Sequence, residues 1–269
     1  MLQKTIGFIG CGNMGSAMIG GIVGSGLVPA GQVIASAHTA ATLNKIKDQY
    51  PIETTLDNTE VAKKSDILFL AVKPYLYEKV ISEIKDVTPE NAVIVAIAAG
   101  QSIAKIEGYF GRPVKLVRAM PNTPAMILEA MSALTPNTAI TDDEMNDIVS
   151  IFNSFGKCEI VSEALMDAVT GVSGSSPAYV YMFIEAMADA AVEDGMPRTQ
   201  AYKFAAQSVL GAAKMVLETK KHPGELKDAV CSPGGTTIEA VATLEKLGLR
   251  GTVIAAQHAC TEKSKSMGK

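Results

Sequence analysis

The sequence predicts an α/β fold: a doubly wound parallel sheet first, then an all-helical part. Three observations predict it. From residue 5 to about 162, short β-rich runs alternate with helical stretches, the pattern of strands joined by crossover helices. Runs such as Ile67-Leu68-Phe69-Leu70-Ala71-Val72 are apolar on both faces, as a sheet covered on each side requires. From about residue 163 the strand pattern stops and helical periodicity continues alone. The expected division is therefore residues 1–162 and residues 163–269.

The strand candidates are Thr5–Gly10, Val33–Ser36, Ile67–Val72, Ala92–Ala96 and Val114–Ala119, with a weaker run at Cys158–Val161. Helical patterns fall between them near 13–25, 39–49, 59–65, 75–85, 102–109 and 142–153. In the second part the helices are Thr199–Leu217, Pro223–Val230, Thr236–Leu247 and Thr252–Lys265, punctuated by Gly195, His222-Pro223-Gly224 and Gly248. The stretch Ala178–Ile184 is apolar nearly all round. A helix with no polar face must be covered on several sides, so a second subunit is expected over it. Ahead of it, Gly171–Tyr179 is rich in glycine and serine, poor helix formers, and reads as a helix break or a site of close backbone approach.

Composition narrows the function classes. The chain has 269 residues, of which 48% are hydrophobic, and a net charge of −4. That is enough for one large or two medium domains. With no basic stripe and few aromatics, nucleic acid is excluded as a partner. No apolar run approaches the roughly 18 residues of a membrane span. The start Met1-Leu2-Gln3-Lys4 leads directly into a strand, so no secretory signal is expected. Cys11, Cys158, Cys231 and Cys260 are scattered, without C-x-x-C spacing or paired histidines. No disulfide framework or metal site is expected, and reduced thiols in a cytoplasmic protein fit best. The tail Glu262–Lys269 reads as a frayed, solvated end.

The first strand ends in Gly10-Cys11-Gly12-Asn13-Met14-Gly15, a G-x-G-x-x-G between strand and helix. That context makes it the dinucleotide fingerprint of a Rossmann-type sheet rather than an ordinary glycine-rich turn. Gly10 makes the tight turn, Gly12 lets a pyrophosphate approach the backbone, and Gly15 lets helix and strand pack closely. The helix start behind them offers N–H groups and a positive dipole end to the phosphates. In such sheets ligands lie beyond the carboxyl ends of the strands. After the second run comes Ser36-Ala37-His38-Thr39, where an Asp or Glu would hold the ribose hydroxyls of NAD. No acid is present, so NADP(H) is preferred and NAD(H) is the second choice. Ala71-Val72-Lys73-Pro74 places Pro74 in a first helical turn. There Lys73 either reaches a ribose or phosphate or is a solvated lysine. Ile97-Ala98-Ala99-Gly100 has small side chains where the nicotinamide would lie, and Met120-Pro121-Asn122-Thr123-Pro124 forms a stiff loop or turn at the same edge.

Ser232-Pro233-Gly234-Gly235-Thr236-Thr237-Ile238-Glu239 forms a second glycine-rich loop before a helix. Thr236 and Glu239 have capping-box spacing. Free N–H groups at such a start would hold a small carboxylate, although a plain cap explains the two residues equally well.

These segments, with Asp167–Ser175 and His222–Asp228, are where the chain resembles the pyrroline-5-carboxylate reductases over nearly its full length. Ser232–Thr237 is much more specific than the nucleotide fingerprint. The resemblance implies NAD(P)H-dependent reduction of 1-pyrroline-5-carboxylate to proline. It implies carboxylate binding by Ser232, Gly234, Gly235 and Thr236, with Thr237 as the catalytic contact to the ring nitrogen of this small imino acid. Cofactor contacts map onto Gly10, Cys11, Gly12, Asn13, Met14, Gly15, Ser36, Asn58, Ala71, Val72, Lys73, Pro74, Ile97, Ala98 and Ala99. Homodimers through the helical domain, often assembled as decamers of five dimers, are implied too. Two positions depart from the family pattern: Ser176 where many relatives carry glycine, and Ala229 where some carry an amide.

A rival is a β-hydroxyacid dehydrogenase, which uses a lysine on the long first helix of its helical domain. Asp167–Asp189 contains none. A second rival, a non-catalytic NADP-binding regulator, does not account for an intact substrate loop.

Overall fold

A computed structural model describes residues 2–268. The chain divides into two compact units. One runs through Ser175 and takes the chain back from Cys260, and the other is Ser176–Ala259.

The first unit is built on an eight-stranded sheet: β1 Ile6–Ile9, β2 Val33–Ser36, β3 Glu53–Thr55, β4 Ile67–Leu70, β5 Val93–Ala96, β6 Lys115–Met120, β7 Ala130–Pro136 and β8 Gly156–Ile160. Their order is β3-β2-β1-β4-β5-β6-β7-β8. Every neighbouring pair is parallel except β6 and β7. The order reverses between β1 and β4, so a crevice opens beyond their carboxyl ends.

Alternation along the strands feeds two cores. Ile6, Phe8, Ile67 and Phe69 point to one face, against Met18, Ile19 and Ile22 of α1 (Asn13–Gly24), Leu43 and Ile46 of α2 (Ala40–Gln49), and Ile148, Ile151 and Phe152 of α6 (Asp142–Asn153). Phe8 stacks on Phe69 with ring centroids 4.6 Å apart. Ile9, Leu68 and Leu70 point to the other face, against α3 (Asn58–Lys64), α4 (Tyr77–Ile84) and α5 (Ile103–Phe110). Both faces are therefore dry, which is why these strands read as continuous apolar runs.

Two strands lie outside the sequence expectation. β3 is a three-residue edge strand, Glu-Thr-Thr, too short and polar to show a pattern. β7, Ala-Met-Ser-Ala-Leu-Thr-Pro, has few β-branched residues and turns back antiparallel on β6. Gly171–Tyr179 interrupts the α-helix, the first of the two expectations for it, with a bend at Ser175. After α7 (Met166–Val169) the chain makes one π turn, Thr170–Gly174, closed by Ser175 N donating to Thr170 O at 2.8 Å, and α8 starts at Ser176. A Cβ on Gly174 would meet its nearest neighbour at 3.8 Å, ordinary contact.

The second unit contains α8 (Ser176–Glu193), α9 (Arg198–Thr219), α10 (Pro223–Val230), α11 (Thr236–Lys246) and the first part of α12 (Leu249–Met267). Its buried core is small: Ala188, Ala201 and Ala205, joined by partly buried residues such as Ile184. Tyr181 is 60% exposed and Met182 69%. The apolar character of α8 is thus left uncovered within one chain.

The tail is not frayed up to Met267. Ser264 is buried and its Oγ donates to Asp167 Oδ1 at 2.6 Å, and Met267 lies against Gly100. Lys269, the last residue of that expectation, lies outside the described residues. Among the described residues no helix is long and apolar enough to cross a membrane. No cluster of His, Cys, Asp and Glu there could hold a metal, and all four cysteines are free.

Candidate active site

The loop after β1 has the geometry that dinucleotide binding demands. Gly10 has φ +98°, and a Cβ there would sit 2.7 Å from Ala71 O, across the crevice. A Cβ on Gly15 would be 2.4 Å from Gly10 O, so α1 can approach the loop only without a side chain. Gly12 has nothing within 4 Å of its Cβ position and is the N-cap of α1, with no side chain capping the helix. The first-turn amides of α1 are therefore left for a ligand. Asn13 is exposed, Met14 half-buried and Cys11 buried, and burial pushes the Cys11 thiol up against a smaller opposing effect of a backbone hydrogen bond.

Beyond β2, Ser36 is fully buried and its Oγ donates to Asn58 Oδ1 at 2.8 Å, while Asn58 Nδ2 donates to Glu83 Oε2 at 2.9 Å. Ser36 and Asn58 are thus brought together, but the serine hydroxyl proton is already committed to the asparagine. His38 and Thr39 are exposed, and Thr39 caps α2. Beyond β4, Ala71 and Val72 are half-buried and Lys73 is exposed. Pro74 opens a short 3-10 turn, Pro74–Leu76, rather than an α-helix. Beyond β5, Ile97, Ala98 and Ala99 lead to Gly100 at φ +70°.

Three features here escape sequence reading. Tyr77 is 1% exposed, and its hydroxyl meets Leu70, Ile97 and Ala98. Two tyrosines stand in Tyr75-Leu76-Tyr77, and only the fold decides that Tyr75 faces solvent. Asn122 is buried, accepting from Met131 N at 2.9 Å and donating to Ser173 O at 3.0 Å, so the proline loop is a bracket onto the π turn. Finally, a cleft of about 530 Å³ beside Gly12 and Asn13 has Lys45 as its one charged lining residue. Lys45 carries no sequence signal beyond that of any surface lysine.

The loop Ser232–Thr237 belongs to the helical unit. Its helix starts at Thr236 as expected, but the cap lies one residue earlier than the capping-box reading has it. Gly235, not Thr236, is the N-cap, and no side chain caps α11, so Thr236 and Glu239 form no box. The physical reason lies in Gly234 at φ +68°, which turns the backbone so that Gly235 closes onto Ser232 O at 3.0 Å. A Cβ on Gly235 would meet Ser232 Oγ at 2.4 Å. The result is an exposed loop whose first-turn amides and the hydroxyls of Thr236 and half-buried Thr237 are uncommitted among the described residues. By contrast α10 is capped by His222 Nδ1, which accepts from Gly224 N at 3.1 Å. Ala229 is exposed on α10 and offers no polar contact.

Comparison with known proteins decides the family. Over 268 residues the chain is 51% identical to the pyrroline-5-carboxylate reductase of Escherichia coli, covering all of both chains. The chain belongs to the pyrroline-5-carboxylate reductase family. Residues 163–267 match the family model described as pyrroline-5-carboxylate reductase dimerisation, and residues 5–100 match that described as NADP oxidoreductase, coenzyme F420-dependent. The solved pyrroline-5-carboxylate reductase of Coxiella burnetii is similar at TM-score 0.93 and 33% identity, covering 100% of both chains. The Plasmodium falciparum pyrroline carboxylate reductase, solved with NADP bound, is similar at TM-score 0.90 and 32% identity, also over 100% of both chains. The match of the helical region to a dimerisation model supports homo-oligomerisation.

Proposed function

We propose that this chain catalyses the reduction of 1-pyrroline-5-carboxylate to proline with NADPH, accepting NADH less well. The observation that carries this reading is the uncapped start of α11 behind Gly234 and Gly235, in a chain of this family. Its backbone amides, with Ser232 and Thr236, hold the substrate carboxylate, favoured by the positive end of the helix dipole. Thr237, one residue further into the same turn, orients the ring nitrogen and is the catalytic contact.

The nucleotide contacts are Gly10–Gly15, Ser36, Asn58, Ala71–Pro74 and Ile97–Ala99. Their fit rests on the open Gly12, the uncapped α1 and the lack of an acid after β2. When bound, the reduced nicotinamide supplies a hydride to the C=N carbon. The chain aligns donor and acceptor and fixes charge. The nitrogen gains its proton from water, since an alcohol such as Thr237 is too weak an acid and no histidine or carboxylate belongs to the loop. Functionally the chain divides at residue 162, although residues 163–175 pack with the sheet unit. The protein works in the cytoplasm as a homodimer through the helical domain, five dimers forming a decamer.

Oxidation of NADPH by the imino acid, run beside NADH, tests the reaction; no turnover would overturn it. For Thr237→Ala we expect kcat/KM to fall about tenfold, as loss of one hydrogen bond worth ~1.4 kcal/mol implies. A change within twofold would remove Thr237 from the site. A clean monomer in size-exclusion chromatography at micromolar concentration would overturn the assembly.

A further inference from the structure

We propose that Tyr77 is a positioning residue for the dinucleotide, its hydroxyl fixing how far the ends of β4 and β5 stand apart where the cofactor crosses them. It rests on the reading that Ala71–Pro74 and Ile97–Ala99 contact NADP(H).

The hydroxyl uses its whole hydrogen-bonding capacity. Tyr77 Oη donates to Leu70 O at 2.7 Å and accepts from Ile97 N at 3.1 Å and Ala98 N at 3.2 Å. Leu70 is the last residue of β4, and its partner across the sheet, Ala96, is the last of β5. Beyond that pair the ladder ends and the two chains part. Tyr77 stands in the fork, where it replaces the strand-to-strand bonds with a bridge of one oxygen atom.

The same residue closes the loop on the other side. Residues 71–76 leave β4 at Leu70 and return at Tyr77, which opens α4. The bond from Tyr77 back to Leu70 therefore ties both ends of the segment that carries Ala71, Val72, Lys73 and Pro74. One buried atom thus fixes the first of the two stretches assigned to the cofactor and the near end of the second. Burial pushes the phenol well above its ordinary range, more than its two backbone hydrogen bonds lower it, so the hydroxyl keeps its proton at any working pH. Gly100, at the far end of the second stretch, is backed by Met267, so Tyr77 fixes the near end only.

The test is Tyr77→Phe, which keeps the ring and removes the bridge, beside Val80→Ala on the same helix as a control for stability. Val80 is buried but makes no part of the bridge. For Tyr77→Phe we expect the Kd and KM for NADPH to rise about tenfold, the size expected from losing these bonds. The KM for the imino acid stays within twofold, and amide exchange at Ile97 and Ala98 speeds up at least about tenfold as their acceptor is lost. Val80→Ala lowers Tm and leaves the Kd for NADPH unchanged. If Tyr77→Phe lowers Tm without moving Kd, or the two variants raise Kd equally, the role is structural only and the proposal falls.

Amide exchange of the wild type is an independent check that needs no variant to fold. NADPH should slow exchange at Ala99 more than at Ile97 and Ala98, whose slowing should not exceed that of the core amides of β1. Slowing at those two beyond that of β1 would show that Tyr77 does not hold them, and would overturn the proposal. A wild type that binds NADPH but leaves the imino acid unreduced refutes the substrate reading alone. One that binds no dinucleotide refutes both.

Discussion

The two glycine loops look alike in sequence and differ in what makes glycine necessary. In Gly10–Gly15 the constraint is rigid backbone: the missing Cβ atoms of Gly10 and Gly15 would strike Ala71 O and Gly10 O. In Ser232–Thr237 it is local. Gly234 needs its positive φ, and Gly235 would meet a rotatable serine side chain first. Both loops end at helix starts without side-chain caps, whereas α6 has a full capping box from Thr141 and Glu144. At α6, as at α2, α3 and α5, side chains beside the helix start satisfy its first amides. At α1 and α11 glycine takes the cap position and those amides are left free, while α9 starts uncapped behind Pro197 without a glycine. The difference between the two loops is that the first is built into the sheet's packing and the second is not.

The largest effect should come from breaking the rigid loop. Gly15→Ala places a methyl 2.4 Å from a carbonyl that has no freedom to move, so α1 must withdraw from β1. We expect NADPH affinity to fall at least about 100-fold, or ~2.7 kcal/mol, with a clear loss of Tm. Isothermal titration and a thermal melt measure the two together. A variant that binds NADPH as well as wild type would show that the close approach is not what the cofactor needs.

Gly235→Ala sharpens the contrast. Its φ of −84° suits any residue, and Ser232 Oγ can rotate away. Folding and NADPH binding should be unchanged; on the proposed carboxylate site, the KM for the imino acid rises about tenfold because the new methyl stands over the free amides of α11. Loss of stability comparable to Gly15→Ala would place this loop, too, in the packing of the fold.

How much of this was legible follows the same division. Features that act through composition and period were readable: the apolar runs of β1, β2, β4, β5 and β6, the helix α10 to the residue, the fingerprint and the second loop. What escaped depends on partners distant in sequence. Edge strand β3 is three polar or hydroxylated residues that become a strand only because β2 lies beside them. The tail is held by Ser264 on Asp167, 97 residues away. The start of α11 at Thr236 was read correctly, but its cap was misread by one residue because Thr236 and Glu239 satisfy the capping pattern in sequence. The turn at Gly234 instead makes Gly235 the cap. Tyr77 falls unremarked inside a helical stretch and Asn122 reads as part of a turn, and their side-chain hydrogen bonds leave no periodic trace.

The smallest effect should come from the helix that serves structure alone. Thr141 Oγ1 accepts from Glu144 N at 3.3 Å, and Glu144 Oε2 accepts from Thr141 N at 3.0 Å. Thr141→Ala removes the first bond, costing about 1 kcal/mol and about 2–4 °C in Tm for a chain of this size. Every kinetic constant should be unmoved, since side chains of α6 already satisfy its first amides. Acid provides a second check. Burial alone would raise the Glu144 carboxyl, but hydrogen bonds from Lys115 and Thr141 outweigh it and hold the group below its ordinary value. A carboxyl lowered on folding stabilises fully above its unfolded-state pKa, and that stabilisation is lost as pH falls through the lower folded value. The Thr141→Ala deficit should therefore be constant near neutrality and shrink below about pH 4.3, the reference carboxyl value for glutamate. A deficit that instead grows in acid, or a rise in either KM, would mean that capped and uncapped helix starts do not separate structure from function in this molecule.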